Sequence, residues 1–318
     1  MNRFITFAAL LVVTGAAFAQ YPSRPMRMVI PWPPGQATDL AGRVVALKLS
    51  DLLAQQVVAD NRPGAGGMIG TDLVAKAAPD GYTLLAASSG PISIGPLLQK
   101  TPYDYERELA PVANVGLSPY ILVTAAAFPA KNAQEFIALV KASPGKYSFS
   151  SSGTGATAHL VAEWFNNING LKAIHVPFKG SAPALIEVAS GQIAYSLETA
   201  AATLPHIRSG RLKAFGISRS HASALAPDIP PLEKAANMPG FDVGAWIGVM
   251  VTAGTPKAVV TRLASAVDQA MKAPDVRERL ATAGLEVDYR PTGQFTRFLR
   301  EQKAVFTDII RKGNIKIE

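Results

Sequence analysis

Apolar residues fall into two patterns along this chain: short unbroken runs, and longer stretches in which they recur every three or four positions. The runs predict strands over 27–30, 56–60, 83–87, 120–124, 147–150, 174–176, 193–197, 212–217 and 241–251. The periodic stretches predict helices between them: one running toward Leu53, one over 132–142 that stops at Ser143-Pro144-Gly145, one after Gly155, and one toward Ser190. Thr255 is placed as an N-cap with Pro256 as the first helical residue. A last helix carries Phe295, Phe298, Leu299, Phe306, Ile309 and Ile310 on one stripe, assigned to packing against the first lobe. Alternating strands and helices imply an α/β protein with a parallel-rich sheet in each of two lobes.

The organising stretch is 146–165. A strand runs into Ser151-Ser152-Gly153-Thr154-Gly155, and a helix follows with Leu160, Trp164 and Phe165 at helical spacing. A turn of small residues at the carboxyl end of a strand leaves hydroxyls and the free N–H groups of the next helix facing outward, which makes an anion socket. The strand at 83–87 ends likewise in Ser88-Ser89-Gly90. Two such units suggest two lobes sharing a cleft. The stiff loop Pro31-Trp32-Pro33-Pro34-Gly35-Gln36-Ala37-Thr38-Asp39 follows the first strand; Trp32 is suited to shaping a pocket, and Thr38 or Asp39 to capping the helix.

Composition narrows the class. With 48% hydrophobic and 17% charged residues in 318, the chain has the makeup of a compact globular protein. Residues 1–19 pair Arg3 with an apolar run and an Ala17-Phe18-Ala19 ending, the pattern of a secretory signal cleaved after Ala19. The run is shorter than the roughly 20 residues that span a bilayer. Export without a single cysteine leaves stability to core burial. The net charge is +8, but the cations are scattered and no aromatic residues interleave with them, so no nucleic-acid partner is expected.

The glycines of Asn61-Arg62-Pro63-Gly64-Ala65-Gly66-Gly67, and Gly70 just beyond them, lack a following Lys-Ser/Thr pair and so do not form a nucleotide phosphate loop; tight packing of the next helix is their expected use. This run, with Pro79-Asp80-Gly81-Tyr82-Thr83-Leu84-Leu85, the Pro33-Pro34-Gly35 loop, Ser151–Gly155 with His159-Leu160, and His175-Val176-Pro177-Phe178-Lys179-Gly180, resembles the Bug-type extracytoplasmic receptors. These are the substrate-binding proteins of tripartite tricarboxylate transporters, the TctC family, and the likeness covers essentially the whole chain after residue 19, in order. It implies a two-lobed Venus-flytrap fold of periplasmic-binding type. The lobes would be 20–122 with 246–318, and 123–245, with the return crossing near 244–250. It further implies a periplasmic monomer that captures a small carboxylate and delivers it to the membrane subunits of a transporter, or to a sensor kinase. By position, the first lobe would contact ligand through Trp32, Pro33, Gly35, Gln36, Asp39, Ser88 and Ser89, with ordered water completing its grip. The second would use Ser151, Thr154, Gly155, Thr157, Lys179 and Glu198. Two positions depart from the family pattern: Gln36 stands where a second glycine is usual, and Glu198 where an aspartate is. Glu198 either faces the cleft or caps the helix beginning near Ala200.

The rival reading is an exported nicotinamide-dependent oxidoreductase or other exported enzyme. Gly153-Thr154-Gly155-Ala156-Thr157-Ala158 fits the loose dinucleotide pattern, but the next strand ends Val176-Pro177-Phe178-Lys179, without the acid that holds a ribose. No Gly-x-Ser-x-Gly elbow is present. His159, His175, His206 and His221 show no metal-ligand spacing. No cofactor and no metal are therefore expected, and His159 is open to packing, capping or a ligand contact.

Overall fold

The computed structural model describes residues 21–313 and 315. The expected signal lies outside the described residues. Chain order begins with β1 (Met26–Ile30), α1 (Ala37–Leu53), β2 (Val57–Asn61), α2 (Met68–Ala75), β3 (Thr83–Ser88), the single turns α3 (Gly95–Leu98) and α4 (Tyr105–Glu108), and the long β4 (Leu109–Ala125). Next come α5 (Ala133–Lys141), β5 (Ser148–Ser151), α6 (Thr157–Asn169), β6 (Ile174–Pro177), α7 (Ser181–Ala189), β7 (Tyr195–Thr199), α8 (Ala200–Arg208) and β8 (Leu212–Ile217). The last part holds α9 (Leu232–Ala235), β9 (Gly244–Thr252), α10 (Lys257–Lys272), α11 (Pro274–Thr282), β10 (Glu286–Pro291) and α12 (Thr292–Gly313).

The strands run in the order β2-β1-β3-β9-β4-β7-β5-β6, with β8 and β10 also on β4. β4 changes partners midway: it pairs with β9 up to Pro119 and with β7 from Tyr120 onward. Each side of that change has its own core. Met28, Leu84, Ile247 and Leu263 lie in the first half, and Phe136, Phe149, Phe165 and Leu197 in the second. The outer pairs β1–β2, β1–β3, β5–β6 and β5–β7 are parallel, as βαβ units require. β4 and β9, which connect the halves, run antiparallel to their neighbours and make the sheet mixed.

Several element ends differ from expectation. β7 begins at Tyr195, two residues later than expected, which places Glu198 inside the strand, opposite Ile121. Pro256, not Thr255, is the N-cap of α10, and the Thr255 hydroxyl turns back onto the Thr252 carbonyl at 2.7 Å. The apolar stripe of α12 divides: Phe295, Phe298 and Leu299 pack with Trp246 and Met250 of the first half. Phe306 and Ile309 enter the second-half core with Phe165 and Phe241, and no buried residue lies between Leu299 and Phe306. Gly70 bears out the packing role of the glycine run, since a Cβ there would stand 2.7 Å from the Arg62 carbonyl.

Candidate functional site

Three helices start at one point. α1, α6 and α8 each follow a strand of the parallel part of the sheet, and their N-cap residues, Gln36, Ala156 and Thr199, make no side-chain cap bond. The first-turn N–H groups thus gain no acceptor from their own N-cap side chains, although in α8 the Ala201 N–H donates to Ser118 Oγ at 3.2 Å. Gln36, Ala37 and Thr38 of α1, Thr157 and Ala158 of α6, and Thr199 of α8 line one cavity. Each N-terminus carries about half a positive charge, so three of them form an anion site without Lys or Arg in the lining. Hydroxyls of Ser88, Ser89, Ser152 and Tyr120 complete the wall.

The two halves meet across this cavity. Ser89 Oγ and Thr157 Oγ1 are 2.8 Å apart, and Trp32 Nε1 donates to Ser88 Oγ at 2.8 Å, which fixes the indole over the first-half wall. The remaining cavity is about 30 Å³. That admits a water and a fraction of a four-carbon acid, so ligand entry requires the halves to part.

Three polar atoms in this wall are buried without a partner: Gln36 Nε2, Glu198 Oε1 and Thr199 Oγ1. Buried polar atoms are almost always paired, so three orphans around one cavity make it the candidate ligand site. Glu198 is 1% exposed; its Oε2 accepts from the Ser181 hydroxyl at 2.8 Å and from the Thr199 N–H at 3.2 Å. Burial pushes its carboxyl up from the usual range, against the pull of Ser181, Ser152 and the Thr199 N–H. One Glu198 oxygen is thus held by Ser181 and by the N–H of the N-cap residue Thr199, not by an N–H of the α8 first turn, and the other belongs to the cavity.

Of the residues expected to contact ligand, Trp32, Gln36, Ser88, Ser89, Thr157 and Glu198 line the cavity. The others stand behind or beside it. Asp39 takes the Gly35 N–H on Oδ2 and Arg43 and Asn61 on Oδ1, all within the first half. Pro33 and Gln36 lie against Gly180 of the second half. The Ser151 hydroxyl bonds His175 Nε2 at 2.7 Å and the Gly153 carbonyl, and the Gly155 N–H goes to His159 Nδ1 at 3.3 Å. The Thr154 carbonyl faces Gly66 across the cleft, and Lys179 is exposed, with none of the described hydrogen bonds or ion pairs.

Sequence reasoning missed Tyr120, Thr38, Ser152 and Thr199. Thr199 had a signal, since a Thr directly before Ala200-Ala201-Ala202 is a plain N-cap. Tyr120 had none, because its position follows from the change of partner along β4.

The family model described as "Tripartite tricarboxylate transporter family receptor", TctC, matches residues 41–315. The chain belongs to that family. A curated relative, BugT of Bordetella pertussis, is 35% identical over 325 residues, covering 100% of this chain and 99% of its own. Among solved structures, MatC from Rhodopseudomonas palustris with bound malate superposes with a TM-score of 0.85 at 30% identity, covering 91% of this chain and 100% of its own. R. palustris Rpa4515 with adipate superposes with a TM-score of 0.88 at 26% identity, covering 93% and 99%. The TctC chain thus has the two-lobed fold of the periplasmic binding proteins.

Proposed function

We propose that this TctC receptor closes its lobes over a small carboxylate, held at the cavity where α1, α6 and α8 converge. The orphaned polar atoms at the starts of α1 and α8, gathered with the start of α6 around one cavity, carry the reading. The helix N-termini take the ligand carboxylate, while Gln36 Nε2 and Glu198 Oε1 call for an acceptor and a donor elsewhere on the ligand. A hydroxyl or an amide group answers both, whereas an ammonium group, which only donates, answers Glu198 alone. Malate and adipate, bound by two structural relatives, supply starting ligands of suitable charge.

In this reading the lobes are 20–122 with 246–318, and 123–245, and the receptor works in the periplasm as a monomer after cleavage behind Ala19. It passes its ligand unchanged to the membrane subunits of a tripartite transporter; a sensor kinase is the other recipient to test. No chemistry is asked of the site. Calorimetric titration with malate, adipate and an uncharged diol of the same length tests the proposal. Saturable binding of an acid and none of the diol is expected. Equal binding of the diol, or recovery of a chemically altered ligand, overturns it.

A further inference from the structure

Two histidines lie directly behind the socket loop with no role in the reading above. His159, in the first turn of α6, and His175, in β6, stack face to face with ring centroids 3.8 Å apart and planes 7° apart. Phe149 of β5 covers the other face of His175 at 4.9 Å. The column therefore ties together the strand before the loop, the helix after it, and the neighbouring strand. Both rings reach the loop from behind: His159 Nδ1 takes the Gly155 N–H at 3.3 Å, and His175 Nε2 shares a proton with the Ser151 hydroxyl at 2.7 Å. Gly155 and Ser151 were expected to meet ligand, and the pair uses both.

The chemistry of the pair is constrained. A backbone N–H only donates, so His159 Nδ1 must accept, and a neutral His159 then carries its proton on Nε2. That atom faces Glu163 Oε1 at 3.8 Å, too far for a hydrogen bond. Burial holds both rings down to about 4, so both are neutral near pH 7, as a face-to-face stack of two imidazoles requires.

We propose that the His159–His175 stack is a positioning device for the socket: it pins loop 151–156 from behind, so that the first turn of α6 presents Thr157 and Ala158 to the cavity. Neither histidine lines the cavity, and they act through the loop. The proposal rests on the receptor reading for its purpose but makes a claim about the ligand-free protein as well. Without the pair, Gly155, at φ +74, and Gly153, at φ +140, give the loop two freely rotating points.

His159→Phe keeps an aromatic ring in the stack and removes the acceptor; His159→Asn places an amide oxygen near the Nδ1 position and restores it. Hydrogen exchange across 151–156 is measured without ligand, followed by titration with malate and adipate. The Phe variant should exchange at Gly155 at least tenfold faster and bind the better of the two acids about five- to twentyfold more weakly. The Asn variant should stay within threefold of the parent in both. Unchanged exchange at Gly155 overturns the proposal whether or not either acid binds, and so does faster exchange with unchanged affinity. Nitrogen NMR of the parent protein needs no variant to fold: an Nε2-protonated His159 supports the proposal, and an Nδ1-protonated ring overturns it. Failure of the parent to bind either acid counts against the proposed ligand class, which the exchange and tautomer measurements do not depend on.

Discussion

Gly180 gives the sharpest test of lobe closure. It sits in the turn between β6 and α7 at φ +113, and a Cβ added there would stand 2.9 Å from Gln36 Nε2 and 3.2 Å from Pro33 Cγ, both on the opposite lobe. Gly191 is its natural control: φ is +81 and nothing lies within 4 Å of its Cβ position. Positive-φ backbone costs a side chain about 1–3 kcal/mol, and the extended positive-φ conformation of Gly180, at φ +113 and ψ 170, is nearly closed to side chains. Gly180→Ala and Gly191→Ala should therefore both melt early, by about 2–4 °C per kcal/mol for domains of 150–250 residues.

Only Gly180→Ala burdens the closed form further. The Gln36 amide can swing aside, but the Pro33 ring is set in a rigid loop, and easing that overlap costs about 1 kcal/mol. About fivefold weaker acid binding follows for Gly180→Ala, with Gly191→Ala binding like the parent. Calorimetry gives the affinities, and small-angle scattering shows whether the substituted lobes stay further apart at saturation. Equal affinities for the two variants would refute the view that the β6–α7 turn meets the Gln36 loop on closing.

Glu198→Gln should tighten binding of plain dicarboxylates and weaken that of acids bearing a hydroxyl, amino or amide donor, because it removes a like charge worth about 4 kcal/mol at 4 Å and an effective dielectric of 20; competition titration reads the reversal. His159 falls from 6.5 to about 4 on folding, so the unfolded chain binds more protons across that interval. Its share of stability is complete above about pH 6.5 and lost as the pH drops toward 4, on the order of 3 kcal/mol, and urea melts of His159→Phe should show a shallower acid decline than the parent. Phe306→Ala should cost about 3–5 kcal/mol through the cavity it leaves in the second-lobe core, measured by urea unfolding.

Much of this fold was legible because its βαβ units carry local signals. The strand at 212–217 and the helix over 132–142 follow from hydrophobic patterning; α5 spans Ala133–Lys141, and Asn132, expected inside the helix, is its N-cap, accepting from the Glu135 N–H at 2.9 Å. The first part of β4 did not, because Pro111, Pro119 and Gly116 read as loop; register shifts at Pro111/Ala113 and Asn114/Gly116 let the strand carry them. β10 was missed too, since its residues are all half-buried or exposed and show no alternation. At the site, the Ser-Ser-Gly turns and the loop after β1 pointed to strand ends that meet around one cavity. Which hydroxyl faces the cleft is decided by contacts with distant residues, as when His175 takes Ser151 and leaves Thr157 to meet Ser89.

The gap in the α12 stripe has a mechanical meaning. β4 and β9 alone would join the lobes as a two-stranded ribbon, free to bend and also to twist. α12 adds a third tether lying on one face of that ribbon, seated on the first lobe where Phe295, Phe298 and Leu299 pack with Trp246 and Met250 of β9, and on the second at Phe306 and Ile309. Three tethers that do not lie on one line suppress the twist and leave a single swing, with the six residues 300–305 as the length that must flex. A jaw limited to one swing brings Ser89 back onto Thr157 in register at every closure, so the half-sites on the two lobes need no search to find each other.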